Sequence, residues 1–129
     1  MEGFGNFSVY LGNTNKPFVT LRSTTITFST IAIEQLKYSK YVHMLVDLDN
    51  KKVAFKACEL DEGAILFYTE ERNKKQLLVR ISGKDRIGIM MRLAGIEDCG
   101  KGIRFYGFYD QKNDALIFDM TQYNKEDWS

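Results

Sequence analysis

Seven basic side chains fall between residues 72 and 92: Arg72, Lys74, Lys75, Arg80, Lys84, Arg86 and Arg92. Asp85 is the only acid in that window. Phosphate oxygens ask only for positive charge and reach, so a run of this kind can hold a nucleic-acid backbone. A solvated hairpin tip followed by a solvated helix face has the same composition. Arg22, Lys37 and Lys40 form a second basic group around the first predicted helix, and Lys51, Lys52 and Lys56 a third at a hairpin.

No nucleophile–base pair or metal set stands out. His43 is the only histidine, in mid-strand with no Ser or Cys beside it, and reads as structural rather than catalytic. Cys58 and Cys99 lie far apart, with no CxxC or Cys/His spacing to suggest zinc, and read as reduced, mostly buried thiols. Asp47, Asp49, Glu59, Asp61 and Glu62 can meet a cation, but their spacing matches no calcium loop, and solvated turns explain them better. Gly95, Gly100 and Gly102 lack the strand-to-helix setting of a phosphate loop. The expectation is therefore a non-enzymatic protein with no catalytic residue, no metal and no cofactor.

Arg104, Phe105, Tyr106, Phe108 and Tyr109 form an aromatic cluster. A regular pleat puts Phe105, Gly107 and Tyr109 on one face and Arg104, Tyr106 and Phe108 on the other. One face must be core. The other can stack on bases or fill a partner's pocket.

These groups sit on a chain of 129 residues, enough for one domain, 1–129. Apolar residues make up 44% and charged residues 27%, which permits a packed core. Nine Phe, seven Tyr and a single Pro favour strands. A net charge of +1 lacks the basic excess of a dedicated nucleic-acid protein, though it allows a local basic face. The first ten residues show no signal-peptide pattern and no run approaches a membrane span, so a cytoplasmic protein with no membrane partner is expected.

The periodicity predicts α+β architecture: antiparallel sheets with two short helices. Residues 1–16 read as turn-rich, with a short strand over 7–11. Strands follow at 18–22 and 25–28, and Ser29 or Thr30 caps a helix whose apolar stripe is Ala32, Ile33 and Leu36. A hairpin spans 41–56. Residues 64–69 and 76–81 read as antiparallel partners around a charged turn at 70–75. Ser82 caps a second helix, about 84–94, ended by Gly95, and a second hairpin spans 103–120. The tail is polar, with Trp128 able to dock on the body. The two hairpins, each after a helix, suggest two pseudo-twofold-related strand–helix–hairpin units, 17–58 and 64–120.

Ile26-Thr27-Phe28-Ser29, the helix at 32–38 and the hairpin 41–56 together resemble the AbrB/SpoVT class of bacterial swapped-hairpin transcription factors, over about residues 25–57. Ser29 and Lys37 stand where that family has Pro and Gly, and Glu34 and Gln35 where DNA-binding members tend to carry arginines. The resemblance implies an interlocked arrangement, found in the family as a homodimer, that presents basic residues to DNA in transcription regulation. The overall style also resembles small proteins of Gram-positive bacteria and their phages. That implies the alternative, a phage or mobile-element factor that binds and modulates a host protein. The binding residues expected for DNA or partner are Arg22, Lys37, Lys40, Lys74, Lys75, Arg80, Lys84 and Arg86.

Overall fold

The computed structural model describes residues 16–75 and 77–125; the expected strand at 7–11 and the docking of Trp128 lie outside them. Strands β1 (Phe18–Leu21) and β2 (Thr25–Phe28) form where the period of two predicts. Their turn closes with the Arg22 N–H donating to the Thr25 carbonyl at 2.9 Å. Helix α1 (Thr30–Gln35) starts at Ser29. The Ser29 hydroxyl accepts from the Ala32 N–H (3.3 Å) and from the Phe18 N–H (3.0 Å), so one side chain caps the helix and ties it to β1. Lys37 (φ 60°) and Tyr38 (φ 53°) turn left-handed and stop the helix short of the expected length. Their N–H groups donate to the Glu34 and Ile33 carbonyls, and the Tyr38 ring meets Tyr68 at 5.2 Å.

Strands β3 (Tyr41–Asp47) and β4 (Lys52–Cys58) form the first predicted hairpin. After β5 (Ile65–Leu66), helix α2 (Glu70–Asn73), β6 (Val79–Ser82) and helix α3 (Lys84–Ala94), strands β7 (Ile103–Asp110) and β8 (Ala115–Asp119) form the second. The two turns are built alike. Asp47 accepts from the Asn50 side chain at 2.8 Å, and Asp110 from the Asn113 side chain at 2.7 Å. Each turn then ends on a left-handed residue, Lys51 (φ 56°) or Asp114 (φ 51°).

The sheet is antiparallel in the order β5-β3-β4-β8-β7-β1-β2-β6, and the two-residue β9 (Asn124–Lys125) adds to β7. Three sequence expectations change. The expected pairing of 64–69 with 76–81 is not seen among the described residues: β5 pairs with β3, and β6 with β2. The charged turn contains helix α2, capped by Thr69, so the described residues hold three short helices. The N-cap of α3 is Gly83 at φ 141°, not Ser82, and it makes no side-chain capping bond. Local pattern identified the strands, but partner choice is long-range.

That partner choice exchanges strands between two like units. β1-β2-α1-β3-β4 matches β5-β6-α3-β7-β8 element for element, with α2 as an addition. β1 pairs with β7, and β5 correspondingly with β3; β2 pairs with β6, and β4 with β8. Among these ten elements one pairing is not matched. β1 pairs with β2, whereas among the described residues β5 has no pairing with β6. Helix α2 occupies that connection, and buried Asn73 bridges it, accepting from the Thr69 N–H (2.8 Å) and donating to the Leu78 carbonyl (2.7 Å).

Both units fill one interior. Phe28 meets Phe55 and Phe67 edge-on, each at 4.9 Å, and Phe55 meets Phe118 at 6.2 Å. Ala32, Ile33 and Leu36 of α1 and Ile87, Met90 and Leu93 of α3 close this core from outside. No helix among the described residues is long and apolar enough to cross a membrane.

Candidate binding surfaces and side-chain clusters

Sheet register places one apolar row on the outer face of β3-β4-β8-β7. Leu45 stands opposite Ala54, Ala54 opposite Ile117, and Ile117 opposite Phe108. Residues opposite each other across antiparallel strands share a face, so these four form a continuous band. Phe108 is 54% exposed and Leu45 47%, while Ala54 and Ile117 are half-buried between them. The next row on one side is Asp47, Lys52 and Asp119, and on the other His43 faces Lys56 and Asp110 faces Ala115. Charges of both signs therefore rim the band. The expected alternation in β7 holds, with Phe105 fully buried and Phe108 outward.

The predicted basic residues divide. Arg80 is exposed on β6, the last strand of the path. Lys74 and Lys75 are exposed just before that strand, and Lys84 just after it. Arg86 lies on the first turns of α3 and donates to the Ser82 carbonyl at 2.6 Å. Arg22 follows β1 at the turn that leads to Thr25, opposite Ser82. Arg22, Lys74, Lys75, Arg80 and Lys84 thus flank β6 in sequence and register, whereas Arg86 also lines a cleft with Asp85 and with Met44 and Val46 of β3. Lys37 instead pairs with Asp114 at 3.2 Å across an exposed surface. Lys40 sits over the Tyr41 ring at 5.6 Å, in a cleft of about 590 Å³ that also contains Glu70 and Glu71. Arg72 lines the same cleft, so charges of both signs surround Lys40 there.

A third grouping is assembled by the β3–β4 hairpin and the loop that follows it. Tyr41 stands opposite Cys58 and His43 opposite Lys56, so His43 and Cys58 are diagonal neighbours on one face. The loop after β4 returns Asp61 to the same place. His43 Nε2 lies 2.8 Å from Asp61 Oδ1, which also accepts from the Gly63 N–H at 3.0 Å. Ligand atoms of His43, Cys58 and Asp61 lie within 4.8 Å of one another. The His43 hydrogen bond holds the Asp61 carboxyl below its usual range, while desolvation, aided by the Asp61 charge, pushes the Cys58 thiol up. Both cysteines are free; Cys99 is buried and Cys58 half-buried. His43 therefore does have a cysteine neighbour, contrary to the expectation from linear spacing, since the two lie fifteen positions apart in the chain. Hairpin register was the available signal that would have joined them.

No family model matches the chain, and no curated protein or solved structure matches it either.

Proposed function

We propose that this chain is a non-enzymatic binding protein that docks another protein on the outer face of β3-β4-β8-β7. The supporting observation is the exposed row Leu45, Ala54, Ile117 and Phe108. Water gains nothing from such a band, and a large aromatic residue held on a rigid sheet can anchor a partner at little entropic cost. The mixed charges on both margins suit a protein surface better than the uniform negative field of DNA. This reading corresponds to a factor that binds a host protein.

Its test is affinity capture from host lysate with the wild-type chain and with the Leu45→Glu/Phe108→Glu variant. A stoichiometric partner should be recovered by the wild type and lost from the variant, whose thermal unfolding should remain cooperative. Sedimentation of the free chain identifies self-association as the other occupant. Equal capture by both proteins would overturn the reading.

A second reading, regulation through DNA, draws on a separate observation. Exposed Arg80 lies on the last strand, β6, with Lys74 and Lys75 before it, Lys84 and Arg86 after it, and Arg22 at the turn leading into its partner β2. The exchange of strands between two units also suits the resemblance to interlocked AbrB-like dimers, as does the left-handed Lys37, which stands in the family's Gly position. On this reading one chain supplies both halves. Anisotropy titration with mixed-sequence duplex at low salt and at about 0.15 M ionic strength tests it. Binding should weaken with salt, and Arg80→Ala/Lys84→Ala should flatten the salt slope by roughly one phosphate contact per charge removed. No binding at low salt refutes this second reading.

A further inference from the structure

We infer that His43, Cys58 and Asp61 form a zinc-binding site with one coordination position open to water. Three elements converge there: β3 supplies the imidazole, the end of β4 the thiol, and the following loop the carboxylate. Their ligand atoms already lie within 4.8 Å of one another. In a tetrahedral zinc site, neighbouring ligand atoms stand roughly 3.3–3.6 Å apart, as follows from bonds of about 2.0–2.3 Å. Small side-chain rotations suffice to reach that spacing. The His43–Asp61 contact at 2.8 Å opens slightly, and the thiol closes inward.

The donor set selects the ion. One sulfur, one imidazole nitrogen and one carboxylate oxygen suit borderline-soft Zn²⁺, whereas Ca²⁺ and Mg²⁺ favour oxygen alone. Among the described residues the cluster offers three protein ligands, which leaves room for water, the coordination pattern of open rather than closed zinc sites. On binding, the Cys58 thiol gives its proton to solvent and its sulfur bonds the metal as thiolate. The imidazole binds neutral through one nitrogen. The local frame is ordered: the Gly63 N–H fixes Asp61 Oδ1, and the hairpin register fixes His43 against Cys58. His43 lies on the same sheet face as Leu45, so a bound ion stands beside the apolar band and is open to solvent.

The test uses the full chain without an affinity tag, stripped by chelator and kept reduced. Titrated Co²⁺ should saturate at one equivalent, with tetrahedral visible absorption and a thiolate-to-cobalt charge-transfer band, and Zn²⁺ should displace it. Cys58→Ser should abolish the charge-transfer band. His43→Gln and Asp61→Asn should each weaken Zn²⁺ at least about tenfold, because each removes a direct ligand and even outer partners are worth that much. Glu62→Gln, an exposed acid of the same loop, should stay within about twofold. Circular dichroism checks that each variant is folded; His43→Gln alters a partly exposed side chain and serves if Cys58→Ser does not fold. Absence of saturable binding overturns the proposal, as does a thiolate band that survives Cys58→Ser or affinity unchanged in folded His43→Gln.

Discussion

Asn73→Ala should destabilise the protein far more than its place beside a charged surface helix implies. Asn73 is only 7% exposed and joins the one connection where the two units differ. Its amide satisfies the Thr69 N–H at 2.8 Å and the Leu78 carbonyl at 2.7 Å. Truncation removes both partners at once. A buried backbone group left unpaired costs about 1–3 kcal/mol, so the expected loss is about 2–4 kcal/mol once partial access of water is allowed. For a domain of this size that lowers Tm by roughly 7–14 °C. Urea unfolding followed by circular dichroism measures the loss, with an unchanged m-value showing that only stability has moved. Asn73→Asp sharpens the test. Its carboxyl must keep a proton to donate to Leu78, so its folded pKa rises above the unfolded value of about 3.9. The stabilising contribution of the protonated group is then complete below that value and disappears as pH rises through the folded pKa. The deficit of Asn73→Asp against wild type should therefore grow from pH 4 to pH 7. A midpoint for Asn73→Ala within about 0.5 kcal/mol of wild type would refute the reasoning.

Gly107→Ala should cost more than about 2 kcal/mol or prevent folding, because an added Cβ falls on the Ile117 carbonyl oxygen and within 2.6 Å of the Phe118 ring; thermal unfolding measures it. Phe108→Ala should change monomer stability by less than about 1 kcal/mol, since the ring is already largely in water, yet weaken the captured partner by about 2 kcal/mol or more, measured by calorimetry. Acid should destabilise the chain progressively below about pH 4. Hydrogen bonds from Asn50, His43, Asn113 and Thr121 depress the carboxyls of Asp47, Asp61, Asp110 and Asp119 respectively, so the stability they lend is present above the unfolded value and lost as pH falls through the folded one. Urea midpoints at a series of pH values should show Asp110→Asn with a shallower acid slope. Lys37→Ala should matter little, about 0.5 kcal/mol or less, because its pairing with Asp114 is solvent-exposed.

The hairpins were legible because their information is local. Alternation in 41–56 and 103–119 marks strands, and polar turns between them allow only adjacent pairing. Ser29 was legible for the same reason: a cap acts on residues three positions away. Partner choice for 64–69 and 76–81 was not legible, since a two-residue strand carries almost no register information and α2 interrupts the run. Ser82 resembled a cap by residue type, but the chain extends the strand through it and begins the helix from Gly83.

Composition and periodicity by themselves determined the α+β class, the buried stripe Ala32, Ile33 and Leu36, and the alternation that puts Phe105 and Phe108 on opposite faces; only the fold decided that Phe105 is the inward one. Beyond the hairpins, tertiary structure alone decided which strands lie together. That choice set Ile117 and Phe108 beside the hairpin pair Leu45–Ala54 to complete one band and drew Lys37 to Asp114, while the loop after β4 brought Asp61 to His43 and Cys58, which hairpin register had already made neighbours. The physical reason is the range of the interactions: a residue's face follows from the two-residue pleat, but its neighbours across the sheet follow from which distant apolar faces bury one another best.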